Sequence, residues 1–271
     1  MGKLKKLFQV LSYLFPSLFI SIALKKISTP TQRPLSDKEL SFLHSAEQTS
    51  IPFLKGSIQV YQWGKGRQII GMIHGWEGRT SDFSTIIETL QDDFTVIAFD
   101  APSHGLSSRQ PTTFFDFIEA VQTVISQYPI KHIISHSFGS VAVLNMLANY
   151  PQHIEKIAMF TSPNRFKDRM LFSAEQAGMH PKTIEKFMRS VEKRFKIKID
   201  ELNVSDIVSK IAIKDKLILH DIDDKVVSLD QSKQIQAAWN NVELQEFQGT
   251  GHYRILHSKQ AMRKLKTFLL S

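Results

Sequence analysis

A chain of 271 residues with 42% apolar and 22% charged side chains can bury one large core and lacks the composition of a disordered polymer. Cysteine is absent, which excludes disulfides, thiolate metal sites and a cysteine nucleophile. The net charge of +8 invites a nucleic-acid reading, but the lysines and arginines gather at the N-terminus and between 165 and 198, with neither zinc-ligand spacing nor an RRM-like aromatic signature. No nucleic-acid partner is expected.

Residues 3–26, KLKKLFQVLSYLFPSLFISIALKK, place an apolar run from Leu7 to Leu24 between basic flanks. Lys25 and Lys26 stand where a secretion signal needs a small-residue cleavage site. The run is also too short and too polar for a membrane span, carrying Gln9, Ser12, Pro16, Ser17 and Ser21. Myristoylation at Gly2 would want Ser or Thr at position 6, where Lys6 stands. On a helix, Gln9, Ser12, Ser17 and Ser21 form a weak polar stripe, kinked or broken near Pro16. This is an amphipathic arm, and two readings stay open. It makes peripheral contact with a membrane, its lysines facing anionic headgroups at the inner face, or it docks over the domain's own apolar surface in a cytoplasmic protein. STPTQRPLSD, residues 28–37, reads as a linker. Residues 1–35 are therefore arm and linker, and the main domain is expected over 36–271.

From about residue 57, β-rich runs alternate with helical periodicity, which predicts an α/β fold with a mostly parallel central sheet and helices on both faces. Strands are expected at Ser57–Trp63, Gln68–Ile73, Thr95–Phe99, His132–Ile134, Lys156–Phe160, Lys216–Leu219 and Val242–Phe247. Phe83, Ile86, Ile87 and Leu90 mark an amphipathic helix with Ser81 and Asp82 as N-cap candidates. Phe114 to Ile125 and Met262 to Leu269 repeat that spacing, and 138–150 is apolar nearly all round, as a buried central helix would be. Between 164 and 213 the alternation breaks. There Ile184, Phe187, Met188, Val191 and Phe195 mark a helix with a basic outer face, and the segment reads as a helical cap at the sheet's C-terminal edge, where open α/β sheets bind ligands.

Ser135, His136, Ser137, Phe138 and Gly139 occupy the place of G-x-S-x-G between a strand and a helix. A sharp turn there lifts a serine hydroxyl clear of the sheet at a helix N-terminus; the plainer reading of Ser137 is a helix N-cap. Ser135 fills the first glycine position, which admits only small residues. Upstream, MIHGWEG (Met72 to Gly78) supplies a loop from which the N–H of Trp76, with that of Phe138, would form an oxyanion hole. Downstream, LILHDIDDKVV puts three acids just past one strand, and GTGHYRIL puts His252 in a Gly-rich loop past the next.

These motifs, with FDAPSHGLS after the Thr95 strand, resemble the α/β-hydrolase superfamily from about residue 57 onward, in its order of serine, acid, histidine. HGWEG, DAPSHG and GHYRIL are most similar to a poorly characterised bacterial branch. The resemblance implies Ser137 as nucleophile, His252 as general base and then acid, and Asp224 as the triad acid, with Asp223 one residue away as the alternative. It implies no cofactor and no metal; the Asp221, Asp223 and Asp224 cluster lacks accompanying ligand spacing. His74, His104, His132, His136 and His220 follow strand ends and read as structural, Asp100 as a turn acid, and Glu77 and Arg254 as a pair across the site. The implied activity is a serine hydrolase acting on a small-molecule carboxylic ester or other acyl substrate, bound in part by Trp76 and Phe138. A membrane-surface lipid or thioester hydrolase and a non-catalytic binding protein on the same scaffold are the alternatives.

Overall fold

The computed structural model describes residues 2–195 and 198–271. Two N-terminal helices, α1 (Gly2–Leu14) and α2 (Pro16–Ile27), meet at a bend of 109° beside Pro16. The next helix, α3 (Asp37–His44), starts on a capping box, because Ser36 accepts the Glu39 N–H while the Glu39 carboxylate takes the Ser36 N–H.

The sheet begins with β1 (Glu47–Phe53), β2 (Gly56–Trp63) and β3 (Ile69–Ile73), followed by α4 (Ser84–Leu90), β4 (Thr95–Asp100) and α5 (Phe114–Ile125). It continues through β5 (His132–His136), α6 (Phe138–Asn149) and β6 (Lys156–Phe160). The chain then leaves the sheet for α7 (Phe166–Gln176), α8 (Pro181–Phe195) and α9 (Val204–Ile207), and returns with β7 (Asp215–Asp221), α10 (Leu229–Ala238) and β8 (Val242–Phe247). A single turn, α11 (Gly251–Arg254), leads to the last helix, α12 (Lys259–Leu270).

Among the described residues the eight strands lie in the order β1-β2-β4-β3-β5-β6-β7-β8, antiparallel across the first two pairings and parallel across the rest. Parallel strands are buried on both faces and so read as unbroken apolar runs. In β5, Ile133 packs with Phe117, Val121 and Val143 on the α5 and α6 face, and Ile134 packs with Ile86 and Leu265 on the α4 and α12 face. A third apolar cluster joins Met170, Ile184, Phe187 and Met188 of the α7–α8 cap to Phe19 and Leu24 of α2.

Three differences from the sequence reading have physical causes. No strand was expected at β1. Only Ile51 and Phe53 of its seven residues are buried, so it shows little alternation, and Pro52 is tolerated because the strand lies at the sheet edge. Ser81 and Asp82 lie in a 3-10 turn, Thr80–Phe83, and α4 begins at Ser84, although the four periodic residues of that stretch are all buried. The strand expected to stop at Ile134 runs on to His136, with Ser135 paired to Met159 and His136 to Phe160. Both polar side chains are satisfied inside: the Ser135 and Ser140 hydroxyls lie 2.8 Å apart, and the His136 imidazole donates to the His252 carbonyl at 3.0 Å.

Candidate active site

Ser137 sits between the last residue of β5 and the first of α6, with φ 51° and ψ −124°. A non-glycine residue held in that region costs about 1–3 kcal/mol and persists only where its surroundings enforce it. Here the Ser137 N–H donates to the Phe160 carbonyl of β6, and the Ser137 carbonyl accepts from Ser140, both at 2.9 Å. Small residues let the neighbouring backbone close on the turn. A Cβ on Gly139 would stand 2.4 Å from the carbonyl oxygens of Ile73 and His74, and one on Gly75 would stand 3.2 Å from the Ser137 Cβ. The Ser137 side chain makes no capping bond to α6, which removes the N-cap reading.

Its Oγ lies 3.1 Å from Nε2 of His252, and Nδ1 of that ring lies 2.7 Å from Oδ2 of Asp224. Asp224 is acceptor-only when ionised, so Nδ1 carries the proton and Nε2 is left to accept from the serine hydroxyl. The other carboxylate oxygen, Oδ1, accepts the N–H groups of Val226 and Val227 at 2.7 and 2.9 Å, which fixes its rotation. Burial pushes the Asp224 carboxyl up, but the His252 and amide bonds outweigh it and hold the group below the usual carboxylate range. Asp223 is exposed, and its Oδ2 accepts the Gly249 N–H at 3.2 Å, so of the two acids Asp224 is the one beside the imidazole.

Trp76 lies in a turn closed by a 2.9 Å bond from the Gly78 N–H to the Gly75 carbonyl, and Phe138 opens α6, where no intrahelical acceptor exists for its N–H. Among the described residues neither amide is paired with a protein acceptor. The Trp76 and Phe138 rings meet edge to face at 5.6 Å, and Phe114 and Phe117 stand 4.9 and 5.4 Å from Phe138. An aromatic wall thus flanks the serine.

The expected pair of Glu77 and Arg254 does not form. The Glu77 carboxylate accepts the Thr31 N–H at 2.9 Å, and Arg254 donates to the Gly249 carbonyl of its own loop at 3.2 Å. Each ion finds a backbone partner within reach, so neither has to cross the site.

The supporting role of Asp221 was not legible in the sequence, whereas the strand-end histidines and Asp100 were read as structural. Asp221, the first of the three acids, accepts the N–H and hydroxyl of Thr250 at 2.7 and 2.6 Å and the Asp223 N–H at 2.9 Å, tying the acid loop to the histidine loop. His104 accepts the Glu77 N–H at 3.1 Å and donates to the Pro102 carbonyl at 2.9 Å, steadying the turn that holds Trp76. Burial holds His74 down at about 4, and His104 and His136 at about 3, so these three rings are neutral near pH 7. His220, also lowered by burial, donates Nε2–H to the Val227 carbonyl at 3.0 Å and lies 3.7 Å from Asp224. Asp100 accepts the N–H groups of Thr80 and Leu106, each at 2.8 Å, and serves the turns there. Among the described residues no cluster of three or more His, Asp or Glu side chains is arranged to hold a metal ion.

Comparison with known proteins bears on the fold. The family model described as the alpha/beta hydrolase fold matches residues 69–196. A Drosophila melanogaster protein named "Probable serine hydrolase" is 30% identical over 135 residues, which is 47% of this chain and 40% of that one. A Danio rerio "Serine hydrolase-like protein" is 29% identical over 123 residues, 42% of this chain and 37% of that one. The match thus spans well under two thirds of these relatives. Among solved structures, a membrane phospholipase A described as a bacterial virulence factor superposes with a TM-score of 0.67 at 15% identity, covering 96% of this chain and 93% of its own.

Proposed function

The chain belongs to the α/β-hydrolase superfamily, and from that premise we propose that it is a serine hydrolase that cleaves a carboxylic ester through an acyl-enzyme on Ser137. The observation that carries this reading is the hydrogen-bonded chain from Ser137 through His252 to Asp224, begun on a serine whose backbone is held at positive φ. A serine hydroxyl is a weak nucleophile near neutral pH. His252 Nε2 takes its proton as Oγ attacks the acyl carbon, and Asp224 stabilises the imidazolium that forms. The Trp76 and Phe138 N–H groups receive the developing oxyanion, and His252 returns the proton to the leaving alcohol. Water, deprotonated by the same ring, then attacks the acyl-serine and releases the acid. No cofactor enters this cycle.

The aromatic wall beside Ser137 suits an apolar acyl group in a small-molecule substrate. A lipid or thioester substrate is favoured by a second observation, the basic arm of residues 3–26, whose setting would be the cytoplasmic face of a membrane with its anionic lipids.

The test is labelling by a fluorophosphonate probe, with turnover of p-nitrophenyl esters of increasing acyl length, in the wild type and in Ser137→Ala. Labelling and turnover that vanish in the variant are expected. A wild type that neither labels nor turns over any ester would leave the non-catalytic binding protein standing.

A further inference from the structure

The arm is two-faced. One face is bolted to the cap: Ser12 is buried, its hydroxyl accepts the His180 N–H at 2.8 Å, and its carbonyl accepts the Thr183 hydroxyl at 2.8 Å. The Tyr13 ring meets that of His180 at 4.8 Å in a tilted contact, and Phe19, Ile20 and Leu24 of α2 pack on the cap's apolar cluster. Ser12, expected on a weak polar stripe, points inward, where the start of α8 offers backbone and hydroxyl partners.

The opposite face is apolar and open to solvent. Leu7, Val10 and Leu14 recur at i, i+3 and i+7 on α1, and Phe15, Leu18 and Ile22 repeat that spacing into α2, each 53–59% exposed. Six large apolar side chains on one continuous surface are more than a monomer's ordinary scatter. The arm's own charge is one-sided. Residues 1–27 hold Lys3, Lys5, Lys6, Lys25 and Lys26 and not one Asp or Glu, although Lys5 shares a pocket with Glu175 and Glu185 of the cap. A second protein would need its own acidic rim to match that surface, whereas an anionic lipid surface supplies apolar tails beneath negative headgroups everywhere.

We propose that the outer face of α1 and α2 is an interfacial anchor that enters an anionic lipid surface while the inner face stays docked on the cap. The inference rests on the membrane setting and not on the hydrolytic chemistry. No single helix among the described residues is long and apolar enough to cross a bilayer, and the only bent pair that passes by length and composition is this one. With a 109° bend and its inner face bonded to α8, the pair lies along a surface and does not thread through it.

The experiment is co-sedimentation of the full-length Ser137→Ala protein with vesicles of phosphatidylcholine alone and of phosphatidylcholine with phosphatidylglycerol, so that catalysis plays no part. Expected are binding to the anionic vesicles, weakening with salt, and a loss of about tenfold or more in Leu14→Ser/Leu18→Ser. Lys6→Glu/Lys25→Glu should weaken binding to anionic vesicles comparably, and circular dichroism should show both variants folded. Binding untouched by Leu14→Ser/Leu18→Ser would overturn the assignment of the face while leaving the membrane setting intact. No binding to either vesicle would overturn both. A lipid-free dimer abolished by the same pair of substitutions would give the face to a second copy of the chain and likewise overturn the proposal.

Discussion

Lowering the pH from 7 to 5 should cost the wild-type protein about 2 kcal/mol more stability than it costs His136→Gln. The His136 ring is held at about 3 first by burial and then by the neighbouring His252, whereas an unfolded histidine titrates near 6.5. Its folded value is depressed, so below 6.5 the unfolded chain takes up a proton that the folded chain refuses. Stability therefore drains as pH falls from 6.5 towards 3. At pH 5 the gap of 1.5 units above ambient, at about 1.36 kcal/mol per unit, gives the 2 kcal/mol. Glutamine keeps an N–H donor where the Nε2 of His136 meets the His252 carbonyl, and it does not titrate. His74 and His104 push in the same direction, and Asp100, raised by burial, pushes in the opposite one; both proteins carry all three, so they cancel in the difference. Urea midpoints for both proteins at pH 7, 6 and 5 read the effect. Parallel losses in the two would show that the buried ring is not held neutral and would sink the reasoning.

The same geometry predicts other outcomes. Asp224→Asn should lower kcat by about 10³–10⁴ on any ester the enzyme accepts, while Asp223→Asn stays within a few-fold of wild type; steady-state kinetics on the two variants decide between the acids. Ser135→Ala should leave the Ser140 hydroxyl without its partner and cost about 1–2 kcal/mol in chemical denaturation, with ester turnover per folded molecule near wild type. Gly139→Ala would drive a Cβ to 2.4 Å from two carbonyl oxygens and should cost about 2–3 kcal/mol along with most of the activity, measured by thermal melting and by probe labelling. Arg254→Glu should change neither melting temperature nor kcat appreciably, since its partner is only the Gly249 carbonyl at the surface.

How much was legible follows from what each signal measures. The strands of the parallel sheet are largely apolar on both faces, and β6, all five residues buried, stands in the sequence as four apolar residues in a row after Lys156. β1 is mostly exposed, and its pairing to β2 is made by backbone groups that leave no side-chain signature. The serine, acid and histidine were legible because each follows a strand end in a short loop of unusual composition. Asp221 was legible only as one of three clustered acids. Its bonds to Thr250 join loops 29 residues apart, a distance over which periodicity carries no information. The continuation of β5 through His136 was hidden for a related reason. Polar residues in a core strand are disfavoured one at a time, and only the partners on α6 and α11 make Ser135 and His136 tolerable there.

The segment 28–34 makes the same point from the other side, since its Pro, Ser and Thr content reads as a spacer while its backbone is spoken for. Proline supplies a carbonyl but no N–H, so a Pro-rich extended run presents acceptors that cannot pair within itself. The buried Arg79 takes two of them, the carbonyls of Arg33 and Pro34, at 2.9 and 3.3 Å. Thr112 donates to the Ser28 carbonyl at 3.0 Å, Gln32 donates to the Ser103 carbonyl, and Thr31 donates to Glu77, the residue after Trp76. A spacer would leave the arm free to swing. This one lies across the loops that hold Trp76 and His104, so whatever surface the arm rests on has a fixed orientation to Ser137.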